Sequence, residues 1–124
     1  MGSPAHRAIA RRAVAESLVV LKDDGGLLPL SKSLSRIHVA GKNADNLGNQ
    51  CGGWTITWQG SRGRPTVGTT ILEGIREAAG YRARVTHGLA AEGANTADVG
   101  IVVIGEAQPY AEGDGDRDDL MVSE

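Results

Sequence analysis

"ADVGIVVIGE", residues 97–106, decides the fold. From Val99 to Ile104 the segment is apolar throughout and has no polar alternation, the pattern of a strand covered on both faces in a parallel sheet. Gly105 closes it, and the polar, Gly/Asp-rich "AQPYAEGDGDRDDLMVSE" follows. "RIHVAG", 36–41, has the same form: a short apolar run ending in glycine. Between the two, "YRARVTHG", 81–88, reads as a third strand.

Helices alternate with these runs. Thr70 with Glu73 three residues on forms a capping box, and Gly80 stands at the C-cap position, so "ILEGIREAAG" is predicted to be helical. Ser3 followed by Pro4 predicts an N-cap and first helical residue, with a helix of about three turns running through "AHRAIARRAVAESL". Leu18 to Leu21 is a β-branched run that fits either a strand or the last turn of that helix; Asp23–Gly26 and Pro29 close it as turn signals. The expected fold class is α/β, a layered sandwich with a mostly parallel sheet. Two convincing helices are too few to cover both faces of three or four strands, so the sheet is expected to be incomplete, as in a domain cut short.

Composition narrows the function classes. The chain has 124 residues, room for one modest core, and 18 glycines, which point to turns and close backbone approaches. A formal charge of −2 gives no basic face for a nucleic acid, and Arg7, Arg11 and Arg12 fit the solvated side of one helix. No run of 18 apolar residues predicts a membrane span, and "MGSPAHRAIA" lacks the apolar centre of a signal peptide, which leaves the compartment unassigned. Cys51 is single, so neither a disulfide nor a CxxC knuckle is available. His6, His38 and His87 are far apart with no ligand spacing, and the GxGxxG, GxxxxGK[ST] and GxSxG templates are missing. No metal or cofactor is expected.

The chemistry gathers elsewhere. In α/β sheets ligands bind beyond the carboxyl ends of the strands, and two irregular segments begin there. One follows Gly41 for about 27 residues and contains "QCGGWTITWQG", 50–60, with both tryptophans of a chain that has no phenylalanine. A loop that long inside a small domain is more often functional than accidental. The other follows Gly105 and brings Glu106, Tyr110, Glu112, Asp114, Asp116, Asp118 and Asp119. Flat indole faces beside carboxylates suit a sugar, whose C–H faces pack on rings while its hydroxyls seek polar groups at the rim. Bland alternatives stand beside this: a loop tryptophan folded onto the core, and a solvated acidic loop. "DGDRDD" also begins like a calcium loop, but an EF-hand would want glycine where Asp119 stands.

Taken together, "HRAIARRAVAESLVVLKDDGGLLPL", "HVAGKNADNLGNQCGGWTITWQG", "VGTTILEGI" and "ADVGIVVIGEAQPYAEGDGDRDDL" resemble, in order, the second, α/β-sandwich domain of glycoside hydrolase family 3, the β-glucosidases and exo-β-glucanases. "GGWTITWQG" and "GEAQPYAEGDGD" are the specific parts, and they look most like the exo-β-glucanase branch. The resemblance implies that residues 1–124 are part of that C-terminal domain, that the loop reaches over the pocket of a (β/α)8 barrel, and that Trp58 stacks on the leaving-group sugar with Trp54 at the pocket mouth. It also implies that Glu112, in the "PYxE" motif, is the general acid/base of a retaining enzyme. Glu106 would instead hold the loop. A β-glucoside or β-glucan oligosaccharide and the barrel would be the partners, and the nucleophile, a barrel aspartate, lies outside these 124 residues. The alternatives are a non-catalytic carbohydrate-binding module using the same tryptophans, and an assembly fragment that covers its sheet by self-association.

Overall fold

The computed structural model describes residues 2–119 and 121. The chain divides after Ser31 into two units. In the first, α1 spans Pro4–Ser17, where the Ser3 hydroxyl accepts the His6 N–H at 3.3 Å and proline opens the helix, as the sequence predicts. Its residues are all exposed, and Arg12 pairs with Glu16 one turn on at 3.3 Å. Leu18–Leu21 belongs to neither a helix nor a strand and is exposed. Strand preference is weak without a neighbouring ladder to pair with, and none is supplied among the described residues. The turn at Asp23 forms as expected, its carboxylate accepting the Leu27 N–H at 2.8 Å.

The second unit is built on three parallel strands in the order β2-β1-β3: β1 Arg36–Ala40, β2 Arg84–Gly88 and β3 Val99–Val102. Ile37 stands opposite Val85 on one side and Val99 on the other. The central strand is therefore "RIHVA", and four of its five residues are buried. This corrects the reading of 99–104 as a strand covered on both faces. Val99, Ile101 and Val103 do face the core, but Val102 and Ile104 are 67% and 70% exposed. An unbroken apolar run reports what both faces of a strand tolerate; it does not reveal whether each has a cover in the same segment.

Helix α3, Ile71–Ala79, provides the cover on the core face. Leu72 is buried against Ile37, Val39 and Ala44, with Ile75, Ala79 and Val85 around them. Burying one such leucine is worth about 1.5–3 kcal/mol. The capping box is complete: the Thr70 hydroxyl accepts the Glu73 N–H, and the Glu73 carboxylate accepts the Thr70 N–H at 2.8 Å. On the other face His38 is buried, its Nδ1 2.9 Å from the Thr86 hydroxyl and its Nε2 3.4 Å from the Ala90 carbonyl oxygen. The 42–68 segment contains a short helix that its sequence gives no period for, α2, Leu47–Cys51, capped by Asn46. That cap is shared, since Asn46 Oδ1 also accepts the Gly63 N–H at 2.9 Å, while Gly48 N–H bonds the Gly63 carbonyl at 2.8 Å. Long-range bonds, not local propensity, hold α2.

Candidate functional site

Both irregular segments leave the same end of the sheet from adjacent strands, as the α/β rule requires. Gly41 starts the first with φ +108°, and a Cβ there would stand 2.2 Å from the Val103 carbonyl oxygen of the neighbouring strand's extension. Only glycine lets the two chains diverge at this point. The loop is then hooked onto α3: the Thr70 hydroxyl donates to Asp45 at 2.8 Å, Gln50 Oε1 accepts the Ile71 N–H at 3.1 Å, and the Ala44 carbonyl accepts the Leu72 N–H at 2.8 Å.

At its tip, "WTITW" folds into a tight turn. Trp54 N–H donates to the Trp58 carbonyl at 2.9 Å, and inside it Thr57 N–H donates to the Thr55 carbonyl at 2.8 Å. This inner i to i+2 bond closes around Ile56, whose φ is +67°, while Trp54 has φ +59°. A turn of this type is rare and strained, the more so at a β-branched residue. The indoles meet edge to face with ring centroids 6.4 Å apart and are 72% (Trp54) and 51% (Trp58) exposed. Neither ring is folded into the core, which disposes of the bland reading for both.

The second segment crosses directly behind this turn. Tyr110 lies over the glycines of the first loop: a Cβ on Gly60 would come 2.7 Å from the tyrosine ring, and one on Gly53 3.0 Å from its Cβ. The phenol donates to the Glu106 carbonyl at 2.9 Å, and its pKa is raised by burial and then by the charge of Glu106. Gln59, adjacent to Trp58, binds the segment three ways. Its carbonyl accepts the Tyr110 N–H at 3.3 Å, its Oε1 accepts the Ala111 N–H at 2.8 Å, and its Nε2 donates to the Glu112 carbonyl at 3.3 Å.

Glu112 follows with an exposed side chain at the start of a glycine-rich turn, in which the Gly115 N–H returns to the Ala111 carbonyl at 2.8 Å. Glu106 is 3.5 Å from Arg117, whose guanidinium also donates to the Ala107 carbonyl at 3.1 Å. A cavity of about 490 Å³, lined by Lys42, Asn46, Asn49, Arg62, Gln108 and Arg117 among others, opens between the loops. The indoles and Glu112 are not part of its wall; they face solvent instead. Among the described residues no three His, Cys, Asp or Glu side chains gather to hold a metal ion.

Gln59 is the residue that sequence reading passes over. In the sequence it is one polar side chain between Trp58 and Gly60, and its partners lie more than 50 positions away.

The fold is an α/β domain whose short parallel sheet presents an indole pair and a carboxylate turn from adjacent strands. The profile of the glycosyl hydrolase family 3 C-terminal domain matches residues 18–124, and the chain belongs to that family. It is 33% identical to a lysosomal beta glucosidase of Dictyostelium discoideum across 98% of its own length, and 40% identical to a periplasmic beta-glucosidase of Salmonella typhimurium across 78%. It superposes with TM-score 0.74 and 39% identity on an exo-1,3/1,4-beta-glucanase from a Pseudoalteromonas species, over 90% of its length. The chain spans 17%, 12% and 14% of those three proteins.

Proposed function

We propose that this domain works with a (β/α)8 barrel as part of a retaining β-glucosidase or exo-β-glucanase that removes terminal β-D-glucosyl residues. The observation that carries the reading is the joining of the two loops at one end of the sheet: the turn that exposes Trp54 and Trp58 and the segment that bears Glu112 are bonded to each other through Gln59. In this reading Trp58 stacks on the sugar in the leaving-group subsite and Trp54 lines its mouth. Glu112 is the acid/base: its protonated carboxyl gives a proton to the departing glycosidic oxygen and then takes one from the incoming water. The nucleophile is a barrel aspartate about 5–5.5 Å from Glu112 in the assembled site. Glu106, paired with Arg117, holds the loop.

Hydrolysis of an aryl β-glucoside tests this, with the 124-residue chain assayed alone and mixed with a separately expressed barrel. Activity only in the mixture, lost on Glu112→Gln by about 10²–10⁴-fold with poor leaving groups, is the expected result. Activity from the chain alone refutes the division of labour. An active Glu112→Gln enzyme with weakened sugar binding on loss of the tryptophans would leave a carbohydrate-binding role in its place.

A further inference from the structure

We infer that Gln59 is a positioning residue for Glu112, coupling the leaving-group platform to the acid/base so that the two move as one body. The inference rests on the proposed role of Glu112 and goes beyond it, because it gives a role to Gln59, whose amide and carbonyl are engaged with residues 110–112. Its side-chain amide uses both ends on the catalytic segment: the oxygen accepts from Ala111, which is buried, and the nitrogen donates to the carbonyl of Glu112 itself. The backbone carbonyl adds a third bond to Tyr110. These three bonds fix consecutive residues, 110, 111 and 112, from a single residue whose neighbour is Trp58.

Among the hydrogen bonds of the described residues, those of Gln59 join the Glu112 backbone to the first loop. The segment enters past Pro109 and leaves through a turn of glycines, with Gly113 at φ +84°. Other anchors hold its flanks: Asn43 Nδ2 donates to the Gly105 carbonyl at 2.8 Å, Arg117 ties Glu106 and Ala107, and Tyr110 packs on Gly53 and Gly60. The Tyr110 hydroxyl and the Gly115 N–H bond Glu106 and Ala111 within the segment. Gln59 is thus the tie between the Glu112 backbone and the loop that carries Trp58. An acid that must meet a glycosidic oxygen while the next sugar sits on an indole needs that spacing held, since a displacement of about 1 Å in a reacting group can cost about 10²-fold.

The chemistry predicts a signature. Protonation of the leaving group matters in proportion to its basicity, so a misaimed acid harms poor leaving groups and spares activated ones. Removal of both amide ends in Gln59→Leu is expected to lower kcat/KM about 10- to 100-fold for a glucan oligosaccharide, and less than about threefold for a dinitrophenyl β-glucoside, whose leaving group needs little protonation. Gln59→Glu keeps the acceptor for Ala111, loses the donor to Glu112 and adds a negative charge beside the catalytic segment. It should fold where Gln59→Leu does not. It should show the same leaving-group dependence and move the alkaline limb of the pH profile upward, because a nearby negative charge disfavours ionisation of the acid.

The measurement is made in the full-length enzyme that carries this domain and its barrel, with Glu112→Gln run in parallel. Equal losses on both substrates with an unmoved pH profile would reduce Gln59 to a structural role and overturn the inference, as would no loss at all. If Glu112→Gln shows the leaving-group pattern and neither Gln59 variant does, only this inference falls. If Glu112→Gln is unimpaired on the oligosaccharide, the acid/base reading falls and takes this one with it.

Discussion

Replacing Gly41 by alanine should break the junction that separates the two loops, while the same change at Gly100, in β3, should not. Three costs meet at Gly41. Its φ of +108° is a conformation that an L-residue adopts at about 1–2 kcal/mol. The new Cβ would sit 2.2 Å from the Val103 carbonyl oxygen and 3.1 Å from its carbon, so two backbones must part. The bonds that hold them there, Val103 N–H to Ala40 at 2.9 Å and Gly41 N–H to Gly88 at 3.1 Å, contribute about 1 kcal/mol each. The expected loss is about 3–5 kcal/mol, a large part of the roughly 5–15 kcal/mol available to a typical domain. At Gly100 no atom lies within 4 Å of the added methyl. Alanine there should be neutral or stabilise by up to about 1 kcal/mol through the unfolded chain. Urea unfolding followed by far-ultraviolet circular dichroism, with midpoints compared at equal slope, reads both variants in one experiment. A Gly41→Ala midpoint equivalent to less than about 1 kcal/mol of loss, or a Gly100→Ala variant equally damaged, would refute the reasoning.

Thr70→Ala removes both the cap of α3 and the hydroxyl bond to Asp45, and should cost about 2–3 kcal/mol in the same urea assay, with Thr70→Ser restoring most of it. Asp98 accepts from the Arg36 guanidinium and from the Ser35 and Arg36 N–H groups, which lower its pKa. A depressed folded pKa stabilises above the unfolded value of about 3.9 and is lost as pH falls through the folded value; Asp98→Asn should therefore unfold more easily at pH 7, with the gap to the parent closing below about pH 4. Parallel urea curves from pH 7 to pH 2 that stay equally spaced would contradict this. Trp58→Ala, at a half-exposed ring, should leave the unfolding midpoint nearly unchanged and lower kcat/KM on oligosaccharides about 10-fold in the complete enzyme, mainly through KM; a large stability loss would place the ring in the fold rather than in the subsite.

What was legible in the sequence follows from the range of the forces involved. The Thr70–Glu73 capping box, the Gly80 end and the Ser3–Pro4 start are readable because each is settled within four residues. β1 and β3 are readable because apolar runs closed by turn signals need only their own side chains to declare themselves, while β2, "RVTHG", is a polar run read from its place between them. Which strand would be central was not readable: Arg36–Ala40 and Val99–Val102 look alike in one dimension, and burial is decided by neighbours. Helix α2 escaped for the same reason, since its Asn46 cap draws its other bond from Gly63, 17 positions on. At the candidate site the sequence points to Trp54 and Trp58 by residue type, and singles out Glu112 among the loop's carboxylates only through the family resemblance. It is silent on Gln59, because an amide becomes informative only when its partners are known.

The turn between the tryptophans shows why residue type and geometry must be read together. "WTITW" alternates large and small side chains as an exposed strand does, yet Trp54 and Ile56 both take positive φ, at a cost of about 1–3 kcal/mol each. Asparagine or glycine at these positions would remove most of that cost. The strain is held by bonds on every side: Thr55 hydroxyl to the Cys51 carbonyl at 3.2 Å, Thr57 hydroxyl to the Gly60 carbonyl at 2.8 Å, and the Trp54 N–H to the Trp58 carbonyl. An edge-to-face indole pair returns only about 0.5–1.5 kcal/mol, so the ring contact alone does not offset two strained residues. Nor does burial, because both rings and Ile56 are exposed. The turn therefore spends folding energy on presenting two indoles outward at a fixed separation, with the Glu112 segment bonded to the residue that follows the second of them. That cost is what the proposed sugar platform would require, since a loop serving only to connect β1 to α3 has no need to hold two indoles outward.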